Sequence, residues 1–426
     1  MAGAAAPSGK RRNVNSIFSV LFCGSLGLGL GTVRAWAASA ERADSCGSLR
    51  SMARVYMASG GYEQAQPFLE RALHLAQGTN ASDREVCACM LDLAYLYKNQ
   101  GRLDEAERMC RSGLELQEKV YHESHPYVAY TLRILSEIHR GQARYREAQS
   151  ALERAITIMR KVRSEDDQEI APFHVDMARL LVEQGNYADA ESCFEKAIAP
   201  IENSYGPEHL YTTKVLSSMA KLYVLQERYT QAEELICRIL PVQEKIYGPD
   251  HHLLVPVWLL MSQIDQANGD LAHAKMLLDR SSGAVEEQTD SGYLIQVEVL
   301  TGLGEFHLLS KEYTKAEEVL QKALKILESS RGTDSDRTAI ALDGLARVYI
   351  HQGQYTKAQS LCRRALDILQ GIFDEYHPKV ADVLETLVQL HRQTGNIAEA
   401  AKLQQRAEEI RVRHRAAYTR VAKAME

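Results

Sequence analysis

At 426 residues, with a formal net charge of -6, 45% hydrophobic and 25% charged residues, the chain has the composition of an ordinary globular protein. Its slight acidity, with a pI near 6.2, argues against a general polyanion binder, so nucleic acid is not an expected partner. Length alone would divide it into two or three domains, but an internal repeat overrides that count.

Residues 1–40 differ from the rest: they carry no Asp or Glu, a basic cluster Lys10-Arg11-Arg12, and an apolar run from Ile17 to Val33. Ala35-Trp36-Ala37 and Ala38-Ser39-Ala40 both have the small-x-small pattern of a cleavage site. This is the three-part layout of a secretory signal. The run is short and glycine-rich for a permanent span. Residues 1–40 are therefore read as a signal peptide or membrane-anchor leader, which implies an exported (periplasmic or extracellular) or membrane-anchored protein. A cytoplasmic or organellar location is the alternative.

From residue 41 onward one phrase recurs. An apolar residue stands at Tyr62, Leu103, Tyr145, Tyr187, Tyr229, Leu271, Tyr313, Tyr355 and Ile397, at an interval of 41 once and 42 seven times. Three residues later every unit has alanine: Ala65, Ala106, Ala148, Ala190, Ala232, Ala274, Ala316, Ala358 and Ala400. Nine residues before the apolar position comes a small or apolar residue, from Ala53 and Ala94 to Ala346 and Val388. Two residues before it glycine is common, as at Gly60, Gly101, Gly185, Gly269, Gly353 and Gly395, where a helix ends in a left-handed turn. Each unit reads as helix, tight turn, helix, and the small residues mark close helix crossings. A single hairpin cannot bury its apolar face alone, so the stack is the core. The expectation is an all-α repeat domain over 41–426, closed by a polar last helix (398–420) acting as a cap.

The stretch Leu93–Leu114, LAYLYKNQGRLDEAERMCRSGL, resembles the tetratricopeptide-repeat consensus. The longer unit and the phrases Tyr121-His-Glu-Ser-His-Pro, Tyr205-Gly-Pro-Glu-His, Tyr247-Gly-Pro-Asp-His and Phe373-Asp-Glu-Tyr-His-Pro resemble its kinesin-light-chain subtype. The resemblance implies a right-handed superhelical solenoid of about nine helical hairpins and a non-catalytic scaffold for protein or peptide partners. Two departures stand out. Residues 1–40 read as a leader where the kinesin light chain has heptads. The position before the Leu-Ala pair, where that subtype favours Asn, reads Ser51, Asp92, Ile134, Asp176, Ser218, Leu260, Gly302, Gly344 and Thr386.

Motifs for chemistry are absent. Cys110, Cys193, Cys237 and Cys362 recur near the middle of second helices, where buried packing is expected. Cys46, Cys87 and Cys89 lie at the starts of first helices, and redox or metal roles there stay open. His125, His209, His251 and His377 share one place before a first helix. Stacked repeats hold such positions too far apart for one metal ion, so these are read as turn residues. Pairs such as Asp104-Glu105 fall on polar helix faces. No cofactor, metal or catalytic residue is assigned.

The first helix of each unit packs through its Leu-Ala pair, so the residues three before, one after and four after the small position lie on the opposite face. In tetratricopeptide proteins that face resembles the lining of the concave groove. Its candidate binding residues are Arg50, Arg54, Tyr95, Lys98, Arg133, Arg140, Arg179 and Lys221, followed by Glu305, Asp343, Arg347 and Glu385. A basic first half and a mixed far end would orient an extended ligand with its acidic residues toward the first half. The bland reading is solvated surface charge without a dedicated partner. The competing function is a regulatory receptor that changes superhelix shape on binding a peptide, with the irregular sixth unit, Ser281-Ser282-Gly283 and Asp290-Ser291-Gly292, as its hinge.

Overall fold

The computed structural model describes residues 45–58, 61–78, 82–164, 167–286, 293–329 and 335–425, with side chains of the last helix as far as His414. Residues 1–40, Gly60 and Asp290-Ser291-Gly292 lie outside them.

Within the described residues the chain is all-α, and its helices alternate as first and second members of hairpins. They are α1 (Cys46–Ala58) with α2 (Tyr62–Gly78), α3 (Asp83–Asn99) with α4 (Leu103–Tyr121), and α5 (Pro126–Gly141) with α6 (Tyr145–Arg160). Next come α7 (Ala171–Glu183) with α8 (Tyr187–Tyr205), α9 (Leu210–Leu225) with α10 (Tyr229–Tyr247), and α11 (Val255–Asn268) with α12 (Leu271–Glu286). The series ends with α13 (Tyr293–Leu309) and α14 (Tyr313–Ser329), α15 (Asp336–His351) and α16 (Tyr355–Ile372), and α17 (Pro378–Gln393) and α18 (Ile397–Met425). The chain divides into two compact units, Met1–Gln142 with Glu153–Ile158, and Ala143–Leu152 with Met159–Glu426. Helix α6 contributes to both.

The small positions do what the repeat requires. The nine anchor alanines are all buried, Ala65 through Ala358 at 0% exposure and Ala400 at 2%. In the seventh hairpin the facing position is Gly304, where an added Cβ would lie 2.5 Å from Cδ2 of Leu320. Two residues before the apolar anchor the backbone turns left-handed whether or not glycine is there: φ is 74° at Gly101 and Gly185, but also 58° at Ala143 and 59° at Glu227 and Lys311. The turn is imposed by hairpin packing, and the three non-glycine residues bear a strain of about 1–2 kcal/mol each.

Successive first helices touch along a seam, α1 to α3 to α5 in the first unit and α7 to α9 to α11 onward in the second. That seam covers part of the first-helix face. Val175, Leu259, Leu308 and Ile350, at the same positions of their first helices, are buried. The cysteine reading is corrected as well: Cys110 and Cys362 are buried, but Cys193 is half-buried and Cys237 exposed. The first two stand four residues after their anchor alanine, about 40° away around the helix. Cys193 follows by three and Cys237 by five, which swings Cys237 about 140° outward.

Candidate functional site

Each candidate residue sits on a first helix, and ion pairs cross from one hairpin to the next. In the first unit, Arg50 Nε donates to Asp92 Oδ2 at 2.7 Å, and Arg54 Nη2 donates to Asp92 Oδ1 at 3.0 Å. Burial alone would lower the Arg50 pKa, but Asp92 outweighs it and raises it. One hairpin further, Lys98 bonds Glu137 and lies 4.8 Å from the centre of the Tyr95 ring. Arg133 lies 3.9 Å from the same carboxylate. Burial would push the Glu137 carboxyl up, but Lys98, Arg133 and Arg140 together hold it well below the usual carboxylate range. Arg50, Arg54, Tyr95, Lys98, Arg133 and Arg140 thus form one face. Its five cations gather around two carboxylates, Asp92 and Glu137. Neither carboxylate was among the candidate residues. The signal for them was the repeat itself, since Arg50 and Asp92 are separated by 42 residues and Lys98 and Glu137 by 39.

The second unit disposes of its charge differently. Arg179 Nε donates to Ser218 Oγ at 3.1 Å, and its guanidinium lies 3.7 Å from Asp176. Burial lowers the pKa of nearby Lys214, and Arg179 lowers it further. Lys221 is exposed. Arg347 Nη1 donates to both carboxylate oxygens of Glu305 at 2.8 Å. Between them Asp343 is pushed up to about 7, first by burial and then by Glu305 and Asp382, against the opposing pull of Thr386 and Arg347. Glu385 accepts from Arg411 Nε at 3.1 Å, and the same guanidinium donates to Asp382 at 2.5 Å. These four acidic and two basic side chains form a continuous polar strip over α13, α15, α17 and α18. Glu385 also edges a cleft of about 430 Å³ with Arg392 and Gln404.

The recurring histidines are N-caps. In His125, His209, His251 and His377 the Nδ1 atom accepts from the backbone N–H two residues on, at 3.1–3.2 Å. Each ring also lies against the aromatic residue four before it. His377 does more. Its Nε2–H donates to the carbonyl of Glu183, 194 residues away, at 2.9 Å. Its ring stacks on Phe373 at 3.7 Å, and Phe373 stacks on Tyr145 at 5.2 Å. Pro378 abuts Gly185, whose added Cβ would come within 2.4 Å of Pro378 Cδ. Tyr187 lies 6.1 Å from His414 on α18. Within the second unit the run of hairpins therefore returns on itself.

Among the described residues, no group of three or more His, Cys, Asp or Glu is placed to hold a metal ion, and no helix is long and apolar enough to cross a membrane.

Residues 29–294 match the MalT-like TPR region, and residues 296–358 and 344–411 match the tetratricopeptide repeat. No curated protein matches the chain. Among solved structures, a Rap protein complexed with Competence and Sporulation Factor superposes with a TM-score of 0.56 at 13% identity, over 79% of this chain and 100% of its own. The apo quorum sensor NprR from B. thuringiensis gives 0.55 at 14% identity, over 75% and 86%. A kinesin light chain of Podospora anserina with nearly identical TPR-like repeats gives 0.40 at 22%, over 46% and 94%.

Proposed function

Because the chain belongs to the tetratricopeptide-repeat family, we propose that it is a non-catalytic scaffold that binds an extended peptide or a partner protein along its first helices, with acidic ligand residues against the first unit. The observation that carries this reading is the cationic face, five basic side chains on α1, α3 and α5 sharing two carboxylates and bordered by Tyr95. Partly desolvated cations with shared counter-charges recruit an anionic ligand without rearranging their own helices. The Rap protein, similar in fold, was solved bound to Competence and Sporulation Factor, which supports a ligand-binding role for such an architecture.

The test is charge reversal at Arg133, Arg140 and Arg179, with helix content checked by circular dichroism. Anisotropy of a fluorescent peptide rich in Asp and Glu should report binding weakened by at least about tenfold for the triple variant, roughly 1.4 kcal/mol. Unchanged affinity in a folded variant sinks the proposal and leaves the charges as surface solvation.

The second reading, a receptor that changes shape on binding, is favoured by the return contact at Glu183, Gly185, His377 and Pro378. Small-angle scattering with and without the same peptide separates the two: a receptor changes dimensions, whereas a rigid scaffold keeps them. For residues 1–40 we retain the proposal of export or anchoring. N-terminal sequencing of the mature protein decides whether cleavage occurs after Ala37 or Ala40.

A further inference from the structure

Two of the cysteines whose role the sequence left open meet in the first unit. Cys46 opens α1, Cys89 lies in the second turn of α3, and their sulfur atoms are 3.2 Å apart. Cys46 is half-buried and can be reached from solvent, while Cys89 is fully buried beside Leu49, Ala72 and Ala76. In the 42-residue register the same seam recurs between later hairpins, where it is closed by unreactive side chains such as buried Val297 and Ala341, which share one cluster. Packing alone therefore needs no sulfur at this place. An approach closer by about 1 Å converts the contact into a bond of about 2.0 Å.

We propose that Cys46 and Cys89 form a reversible disulfide that staples α1 to α3. The Cys46 thiolate attacks one sulfur of a small-molecule disulfide such as glutathione disulfide, forming a mixed disulfide and releasing one thiol. Cys89, losing its proton to solvent, then attacks the Cys46 sulfur and expels the second thiol. The pair gives up two electrons and two protons, and the oxidant becomes two thiols. The half-buried sulfur is the attacking one because an oxidant can reach it. Cys89 is the resolving one because burial pushes its thiol up and keeps it protonated until the mixed disulfide is in contact. Arg50, one helical turn from Cys46, is fixed to Asp92, one turn from Cys89. The bond would thus clamp α1 to α3 about one turn before that ion pair. This proposal does not depend on what the cationic face binds.

The experiment uses the full chain, folded, incubated with glutathione disulfide, quenched in acid, alkylated with N-ethylmaleimide and digested with trypsin without reduction. Expected is a linked pair of peptides spanning residues 43–50 and 85–98, independent of protein concentration and abolished by dithiothreitol. The second peptide also contains Cys87, so fragmentation of the wild-type pair must place the link on Cys89. The link should persist in Cys87→Ser and vanish in Cys89→Ser and Cys46→Ser. Glutathione remaining on Cys46 without transfer to 85–98, or a link that maps to Cys87, overturns the proposal.

Discussion

The two compact units are built from the same hairpin, yet they use their charged side chains for different ends. In the first, basic side chains gather on the first helices and reach from one hairpin to the next, Arg50 and Arg54 to Asp92 and Lys98 to Glu137. In the second, four carboxyls and two guanidiniums, Glu305, Asp343, Asp382 and Glu385 with Arg347 and Arg411, form a linked strip, and the hairpins return through His377 and Glu183 to touch one another. A repeat fixes where a side chain points but not what it meets. Ligand chemistry is therefore sought in the first unit and shape control in the second.

The sharpest way to break this comparison lies in two glycines with the same backbone angle. Gly101 and Gly185 both have φ of 74°, but a Cβ at Gly101 meets nothing within 4 Å, whereas at Gly185 it strikes Pro378. Gly101→Ala should cost about 1 kcal/mol from the left-handed backbone alone. Gly185→Ala should cost about 2–4 kcal/mol, because it also overpacks the return contact. Equal losses in urea melts would mean that the return contact is not formed in solution.

A second test uses acid. His377 is held neutral, its pKa lowered to about 4 mainly by burial, against the opposing hydrogen bond to Glu183. Its folded value lies below the ordinary 6.5 of an unfolded histidine, so its contribution is complete above about pH 6.5 and is lost as pH falls toward 4. Over that window the wild type should lose about 2 kcal/mol more than His377→Asn, which keeps a capping oxygen but cannot stack on Phe373. Parallel pH profiles would count against the clasp.

In the first unit, Asp92→Asn should separate stability from binding. It leaves Arg50 and Arg54 without their carboxylate and should destabilise by about 1–3 kcal/mol. The same change adds one unit of positive charge to the face and should tighten binding of an acidic peptide. Loss of both stability and affinity would assign Asp92 to ligand orientation instead. The smallest effect concerns the strained turns: Lys311→Gly should stabilise by about 0.5–1 kcal/mol, since the left-handed backbone persists without glycine there.

Much of this was legible in the sequence, for a physical reason. Close crossings demand small residues at a fixed interval, so nine alanines announced the hairpins, and the histidine before four of the first helices was recognisable as a turn residue. What could not be read depends on accumulated geometry. Glu183 and His377 are 194 residues apart, and no periodic mark shows that the run of hairpins brings them together. The basic residues of the face were visible, but Asp92 was noticed only as a missing Asn, because the pairing partner lies one period away on another helix. Cys237 was misplaced for a simpler reason: a shift of one residue within a helix changes its facing by about 100°.

The central claim, that ligand meets the first helices of the first unit, is tested most directly by site-specific photo-crosslinking in the full chain. A benzophenone amino acid replaces Tyr95 on α3 or, as a control, the exposed Arg111 on the second helix α4. With the acidic fluorescent peptide at saturation, adducts at position 95 and none at 111 are predicted. Adducts at 111 with none at 95 would contradict the account and move the binding surface to the opposite side of the hairpins.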